Sequence, residues 1–244
     1  MKALGIVLFL FLSQNSFAAS QPVTTEKMKT ILQTALKDRK PISDFWKEVS
    51  QTYGVNALPP LFTMLKNEKE ADELRWVSLF GVARIAGKRS YKTLAEYSTH
   101  KSWLLRDASL RAMAALNAVE LRNYIESALN DKALVVRTTA VDVIGHLKLK
   151  ASLPKLEAAL KNPLNYKNEK PLWIHDHIFS VFKELEYKEA SSALVELLET
   201  RKDPTLRKKV VMTLESLTGK SFPDKSIDEQ VFLWKRSTLE DKVF

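Results

Sequence analysis

Between Asp131 and Asn162 the chain reads DKALVVRTTAVDVIGHLKLKASLPKLEAALKN. Val136, Ala140, Ile144 and Leu147 fall at i, i+4, i+8 and i+11, the spacing of one helical face. After a short Lys-rich turn, Leu149, Leu153, Leu156 and Leu160 repeat the pattern. The stretch is an antiparallel pair of amphipathic helices, with Pro154 in the first turn of the second, where its missing N–H has no acceptor to lose. Two helices cannot bury both apolar faces against each other. Similar pairs are therefore expected on either side.

The chain supplies them. Arg75, Arg106 and Arg137 stand 31 residues apart, and His175 and Arg207 continue the series at steps of 38 and 32. One residue before each cation lies Leu74, Leu105, Val136, Ile174 or Leu206, and four after lies Leu79, Leu110, Val141, Phe179 or Val211. Seven after comes Val82, Met113, Ile144, Phe182 or Leu214; ten after, Ile85, Leu116, Leu147, Leu185 or Leu217. In a chain that is 45% apolar, one all-apolar column of five arises by chance about twice in a hundred trials, and there are four. Leu61, Leu94, Ile125, Leu156 and Leu194 form a matching column in the second helices. A period of 31 to 38 residues with two helices per unit implies an all-α α-solenoid, an α-α superhelix of about six helix pairs. Small side chains three and eight after the cation (Ser78, Ser109, Ala140; Ala83, Ala114, Gly145) would let the middle units approach closely. The last two units, with Ile178, Val210, Lys183 and Glu215 there, would pack differently.

The run VVRTTAVDVIGHL, echoed as LRDASLRAMAAL and LRKKVVMTLESL, resembles the HEAT repeat of the short variety first associated with phycobilisome lyases. The likeness spans residues 41–219 and is strongest from Arg75 to Asn162. The tail LTGKSFPDKSIDEQVFLWK is similar to a closing motif of bacterial HEAT proteins through Leu217, Thr218, Gly219, Phe222 and Trp234, although that motif's second Trp is missing. The resemblance implies that the repeated cation ties helix ends and neighbouring units together by hydrogen bonds. Arg75, Arg106, Arg137, His175 and Arg207 are thus expected to be structural.

Four segments follow: an export signal over residues 1–18, an N-terminal capping helix over 19–40, the repeats over 41–219 and a C-terminal capping helix over 220–244. Met1 and Lys2 precede an apolar run from Ala3 to Leu12, and Ser16-Phe17-Ala18 offers small residues for cleavage after Ala18. About ten apolar residues are too few for the roughly 20 of a spanning helix. Loss of Lys2 with the leader lowers the formal charge from +9 to +8. With no cysteine, no disulfide or thiolate metal site is available, and no lipoprotein anchor can form. The expected location is the periplasm of a Gram-negative bacterium or the outside of the cell.

Chemistry is sparse. Trp173, His175, Asp176 and His177 are the densest cluster of reactive types, yet ligands at i and i+2 point about 200° apart on a helix, so no metal site is expected. His175 reads as a substitute for the repeat Arg and Trp173 as a packing residue. No catalytic constellation and no cofactor site stands out. Two enzyme families share the expected fold. Deoxyhypusine hydroxylases carry His-Glu ligand pairs, and none of His100, His146, His175 or His177 is followed by Glu. HEAT-like DNA glycosylases use a basic groove, which an exported protein would not bring to genomic DNA. The second helices instead place Glu96, Glu126, Glu157 and Glu196 on the expected concave face. Positive charge gathers in the turns, at Lys88, Arg89, Lys148 and Lys150, so nucleic acid would be repelled from the groove. Asn162 to Pro171, NPLNYKNEKP, reads as a loop that lengthens one unit.

These readings describe a monomeric exported scaffold, not an enzyme, that binds another protein through its concave face by Glu96, Glu126, Glu157 and Glu196. The alternative is an envelope-associated protein whose basic edge at Lys88, Arg89, Lys148 and Lys150 contacts anionic lipid or polymer. N-terminal sequencing of the protein recovered from its own compartment should begin at Ala19. An intact Met1 in a membrane fraction would overturn the leader.

Overall fold

A computed structural model describes residues 21–38 and 42–240. The export signal over residues 1–18 and its cleavage site lie outside the described residues. The chain is all-α apart from one two-stranded hairpin among these residues. The helices are α1 (Thr25–Lys37), α2 (Ile42–Tyr53), α3 (Leu58–Lys66), α4 (Asp72–Ala86), α5 (Tyr91–Tyr97), α6 (Trp103–Ala115), α7 (Arg122–Ser127), α8 (Leu134–His146), α9 (Leu153–Lys161), α10 (Ile174–Glu184), α11 (Ser191–Thr200), α12 (Pro204–Thr218) and α13 (Ile227–Glu240).

The four apolar columns set which surfaces meet. Val82, Met113, Ile144, Phe182 and Leu214 are fully buried, as are Leu61, Leu94, Ile125, Leu156 and Leu194 in the partner helices. Helix α4 packs on α6, α6 on α8, α8 on α10 and α10 on α12, while α9 meets α11 and α11 meets α13. Each contact joins equivalent faces because the same column recurs. Gly145 permits one of these approaches: a Cβ there would lie 2.8 Å from Val181 Cγ2 of α10.

The turns within pairs repeat as closely as the helices. Gly87, Asn117, Lys148, Glu186 and Gly219 all have positive φ, from 49° to 71°, just past the end of α4, α6, α8, α10 and α12. The next N–H then reaches back to a carbonyl five residues earlier: Ala118 to Met113, Leu149 to Ile144 and Tyr187 to Phe182, at 2.9–3.0 Å. These are Schellman caps, which satisfy carbonyls the helix itself leaves free. The apolar contact that accompanies such a cap is visible in the rings of Phe182 and Tyr187, 5.5 Å apart. The turns after α6, α8 and α10 therefore share one geometry, whereas Gly87 after α4, at φ 56° and ψ −133°, turns differently. Three of the five positions are not glycine, at a cost of roughly 1–2 kcal/mol each against sterics.

Both ends are closed. Met28 and Leu32 bury the inner stripe of α1 against α3 and α4, while Leu36, one turn further on, is 39% exposed. At the other end, Ser226 and Glu229 form a reciprocal capping box at the start of α13: each backbone N–H donates to the other side chain, at 2.8 and 3.3 Å. Trp234 is fully buried, its ring edge-on to Phe222.

The segment read as a plain loop is folded. Tyr166–Lys167 (β1) pairs antiparallel with Lys170–Pro171 (β2) across Asn168 and Glu169, both at positive φ (50° and 64°). A two-residue turn of that kind matches the twist of a hairpin, and neither strand is long enough to show a period-two pattern in the sequence. Ile144→Ala should cost about 2–5 kcal/mol in urea unfolding, since it empties a fully buried site that also backs a Schellman cap. A loss below about 0.5 kcal/mol, the range of ordinary surface changes, would place the residue outside the core.

Candidate functional site

The repeated cations are nearly all buried: Arg75, Arg106, Arg137 and His175 are between 1% and 5% exposed. Their partners are chain carbonyls and the loops that join one pair to the next. Arg106 donates from one arm to the carbonyls of His100 and Lys101, before its own helix, and from the other two nitrogens to both oxygens of Asp131, in the following loop. Arg137 donates to the carbonyls of Asp131 and Lys132, then reaches on to Asn165 Oδ1 at 2.8 Å and the Leu164 carbonyl. Arg75 donates to the Leu65 carbonyl at 3.0 Å and meets His100 Nε2 at 3.2 Å. Asp131 thus serves two successive arginines, one with its carboxylate and one with its backbone. Burial pushes its carboxyl up, but the hydrogen bonds from Arg106 and the Ala133 N–H and the charges of Arg106 and Arg137 outweigh that and hold it below the usual range.

His175 stands in the Arg column with fewer donors. Its Nδ1 lies 3.0 Å from the Leu172 carbonyl and its Nε2 lies 3.4 Å from the Leu160 carbonyl, and burial keeps its pKa below the ordinary value. The hairpin completes what a shorter side chain leaves open. Tyr166 donates to the Leu160 carbonyl and is covered by the Arg201 guanidinium, 4.1 Å from its ring centre. Buried Asn165 links Arg137 to the Ala159 carbonyl. Arg207 pairs with exposed Asp228 through one arm, while its buried Nε has no partner among the described residues.

The four glutamates do not share one face. Glu96 and Glu196 lie 21 residues past their cation and are exposed, whereas Glu126 and Glu157 lie 20 past and are half-buried. One residue along a helix is a rotation of about 100°, which turns the second pair toward the neighbouring unit. Ser152 donates to Glu126 at 2.7 Å, and the Tyr187 hydroxyl donates to Glu157 at 2.6 Å. Burial first, and then that bond to Glu157, push the Tyr187 phenol well above its usual range. Glu196 pairs with Lys161.

The four turn cations are exposed. Lys88 pairs with Glu120 at 2.9 Å, and Arg89 donates to the Ala86 carbonyl at 3.4 Å. Lys148 occupies a helix-terminal positive-φ position, and Lys150 begins the short 3-10 turn ahead of α9. His175 and His177 point apart: the first is buried, and the second meets Asp142 Oδ1 at 2.6 Å on α8. Among the described residues no group of three metal-ligating side chains converges.

Trp173 corrects the packing role expected of it, being 53% exposed at the N-cap of α10, where the residue before a repeat cation's apolar neighbour faces outward. It has company. Trp103 at the start of α6 is 48% exposed, Val135 at the start of α8 is 37% exposed, and Leu164 in the hairpin segment is 50% exposed. All four lie at the loops between pairs, beside the arginine contacts. Sequence periodicity missed them because residues outside the helical stripe carry no phase, although tryptophans three residues before Arg106 and two before His175 were visible.

No family model matches the sequence, and no curated protein does. Among solved structures, an engineered protein whose crystal structure was determined by the Northeast Structural Genomics Consortium is similar to this chain, with a TM-score of 0.53 at 14% identity. The match covers 82% of this chain and 94% of that one. At such identity the likeness concerns the fold alone.

Asp131→Ala should cost about 3–5 kcal/mol at pH 7, because it leaves the Arg106 guanidinium buried without its anion. The sign with pH follows from the lowered carboxyl. Its stabilisation is complete above the ordinary value of 3.8 and is lost as pH falls through the lower folded value. Urea unfolding of parent and variant should therefore differ most near neutrality, with the gap narrowing below about pH 4. A gap that persists undiminished at pH 2 would mean that the carboxylate's charge is not what holds Arg106.

Proposed function

We propose that this protein is an exported HEAT-like α-solenoid that binds another protein. The succession of α4, α6, α8, α10 and α12, each packed on the next through the same apolar column, supports the solenoid reading. An array in which each unit touches mainly its neighbours presents long surfaces on a rigid frame, the usual basis of scaffolding. The leader over residues 1–18 supports export.

The observation that carries the binding role is the exposed apolar set on one edge of the array. Trp103, Val135, Leu164 and Trp173 line the loops between pairs, and large aromatic side chains are the types that dominate binding energy at protein interfaces. The edge beneath them is pinned by Arg106 and Arg137, so little order need be gained on binding. The glutamates of the second helices take a smaller part in this reading. Glu96 and Glu196 remain exposed to a basic partner, while Glu126 and Glu157 hold neighbouring units together.

A second reading rests on the opposite edge. Turns within pairs carry Lys88, Arg89, Lys148 and Lys150, all exposed, and would meet anionic lipid or polymer. The two readings separate by the edge that matters. Replacing Trp103 and Trp173 together by Ser should leave the melting temperature within about 3 °C, because both are half-exposed, yet weaken a co-purifying protein partner by at least about tenfold. Retention of the partner at full affinity by a well-folded variant would remove that edge from the site. Binding to anionic vesicles that disappears at high salt and requires the turn cations would favour the second reading.

A further inference from the structure

The loops ahead of α6, α8 and α10 carry the exposed apolar edge, and their charges are unequally engaged. Asp131, in the second of these loops, is held by Arg106, and Lys101, in the first, pairs with Glu68 at 2.8 Å. Lys132, Lys167 and Lys170 are exposed, and their ammonium groups have no partner among the described residues. Against these three stands one exposed acidic side chain in the same loops without a partner among those residues, Glu169 at the hairpin turn. The edge therefore presents free positive charge beside apolar surface.

Two features of the geometry leave that charge uncompensated. In the hairpin, Lys167 lies directly opposite Lys170. Directly opposed side chains share one face of a strand pair, and like charges there are destabilising, so an anion bound at this face relieves the pair. Between the loops ahead of α6 and α8 lies a cleft of about 520 Å³, with Lys101, Arg106, Tyr124, Asp131 and Lys132 in its lining. Every nitrogen of Arg106 is already engaged, by two carbonyls and by both oxygens of Asp131, and the free charge in the cleft is that of Lys132. The apolar anchors stand beside these lysines. The Leu172 N–H donates to the Asn165 carbonyl at 2.9 Å, with Leu164 and Trp173 one residue outward on either side of that bond. Tyr124 adds a half-exposed ring to the cleft.

We propose that this edge receives an acidic, extended segment of a partner protein, with apolar side chains between its carboxylates. The inference rests on the protein-binding role proposed above and names the chemistry of the partner. The segment's carboxylates would pair with Lys132, Lys167 and Lys170, and its apolar side chains would lie against Trp103, Leu164 and Trp173. Packed helices stand about 8–10 Å apart, so α6 and α10, with α8 between them, span about 20 Å, which about six residues of extended chain cover. A concave cleft admits a side chain of such a segment, as it does not admit a flat lipid surface.

The test is fluorescence anisotropy of a labelled peptide of about eight residues alternating Glu with Phe, and of its counterpart with Gln for Glu, titrated with the protein and two variants. The acidic peptide should bind saturably and at least about tenfold more tightly than the Gln peptide at low salt, with the difference shrinking at high salt. Lys132→Glu, Lys167→Glu and Lys170→Glu together should weaken the acidic peptide by about tenfold or more and leave the Gln peptide nearly unchanged. The melting temperature should hold, because all three lysines are exposed and unpaired. Trp103→Ser with Trp173→Ser should weaken both peptides. Loss of binding in the Trp variant but not in the Lys variant would keep the protein-binding edge and overturn its acidic partner, whereas loss in neither would overturn both. Equal affinity for the two peptides, or no saturable binding of the acidic one at millimolar concentration, would also overturn the proposal. So would phosphatidylglycerol vesicles that bind through the same lysines in place of the peptide.

Discussion

The hydrogen bonds from buried guanidiniums to the loops between pairs hold the rest of the structure in register. Each loop that joins one helix pair to the next hides backbone carbonyls that no helical N–H reaches, and Leu65 adds one from a helix end. Arg75, Arg106 and Arg137 supply the missing donors. Arg has five N–H groups in a rigid fork and no acceptor, so a single side chain can serve two loops at once. Arg106 does so between His100 and Asp131, and Arg137 between Asp131 and Asn165. Lys could not replace either one, because its single ammonium lacks the span and the planar geometry.

The apolar columns and the cations solve different problems. Burial of Val82, Met113, Ile144, Phe182 and Leu214 drives unit against unit, but hydrophobic attraction is without direction and would tolerate a sliding contact. Directional bonds remove that freedom. A second set lies on the outer face of the first helices, where Thr139 donates to Asp107, His177 contacts Asp142 and Lys209 contacts Asp176. Each joins one helix to its successor. Where the set is interrupted, between α4 and α6, apolar side chains take its place and the cleft beside Trp46 opens.

Periodicity made the helices, the core columns and the position of the buried cation legible, because each depends on a residue type repeated at fixed phase. Features defined by one residue's rotation or by backbone shape were not. Glu96 and Glu126 looked equivalent at a step of 30, yet the one-residue difference in phase sends one to solvent and the other to Ser152. The hairpin at residues 166–171 rests on two residues with positive φ, and Asn168-Glu169 is not a pair whose sequence announces that turn. Trp173 was misplaced because a large aromatic is more often buried than exposed, a tendency that says nothing of a particular N-cap. Lys148 and Glu186 hide helix terminations that Gly87 and Gly219 declare openly.

Departures from the repeat are where function has room to sit. A residue common to all units is already committed to the stack, as Arg106 and Ile144 are, and changing it for binding would cost the fold. The free positions are those that the columns do not specify: the first turn of each leading helix, the inserted hairpin, and the outer groove between neighbouring leading helices. Trp103 and Trp173 occupy the first kind, Leu164 the second, and Phe80 with Arg84 the third. None of these side chains has a structural duty comparable to that of the arginines, and the aromatics and Leu164 leave apolar surface in water that a polar residue would not. The arginine bonds immediately behind these loops hold this surface in place. The same bonds that hold one helix pair to the next therefore fix this edge, and the binding proposed for it would require little further ordering.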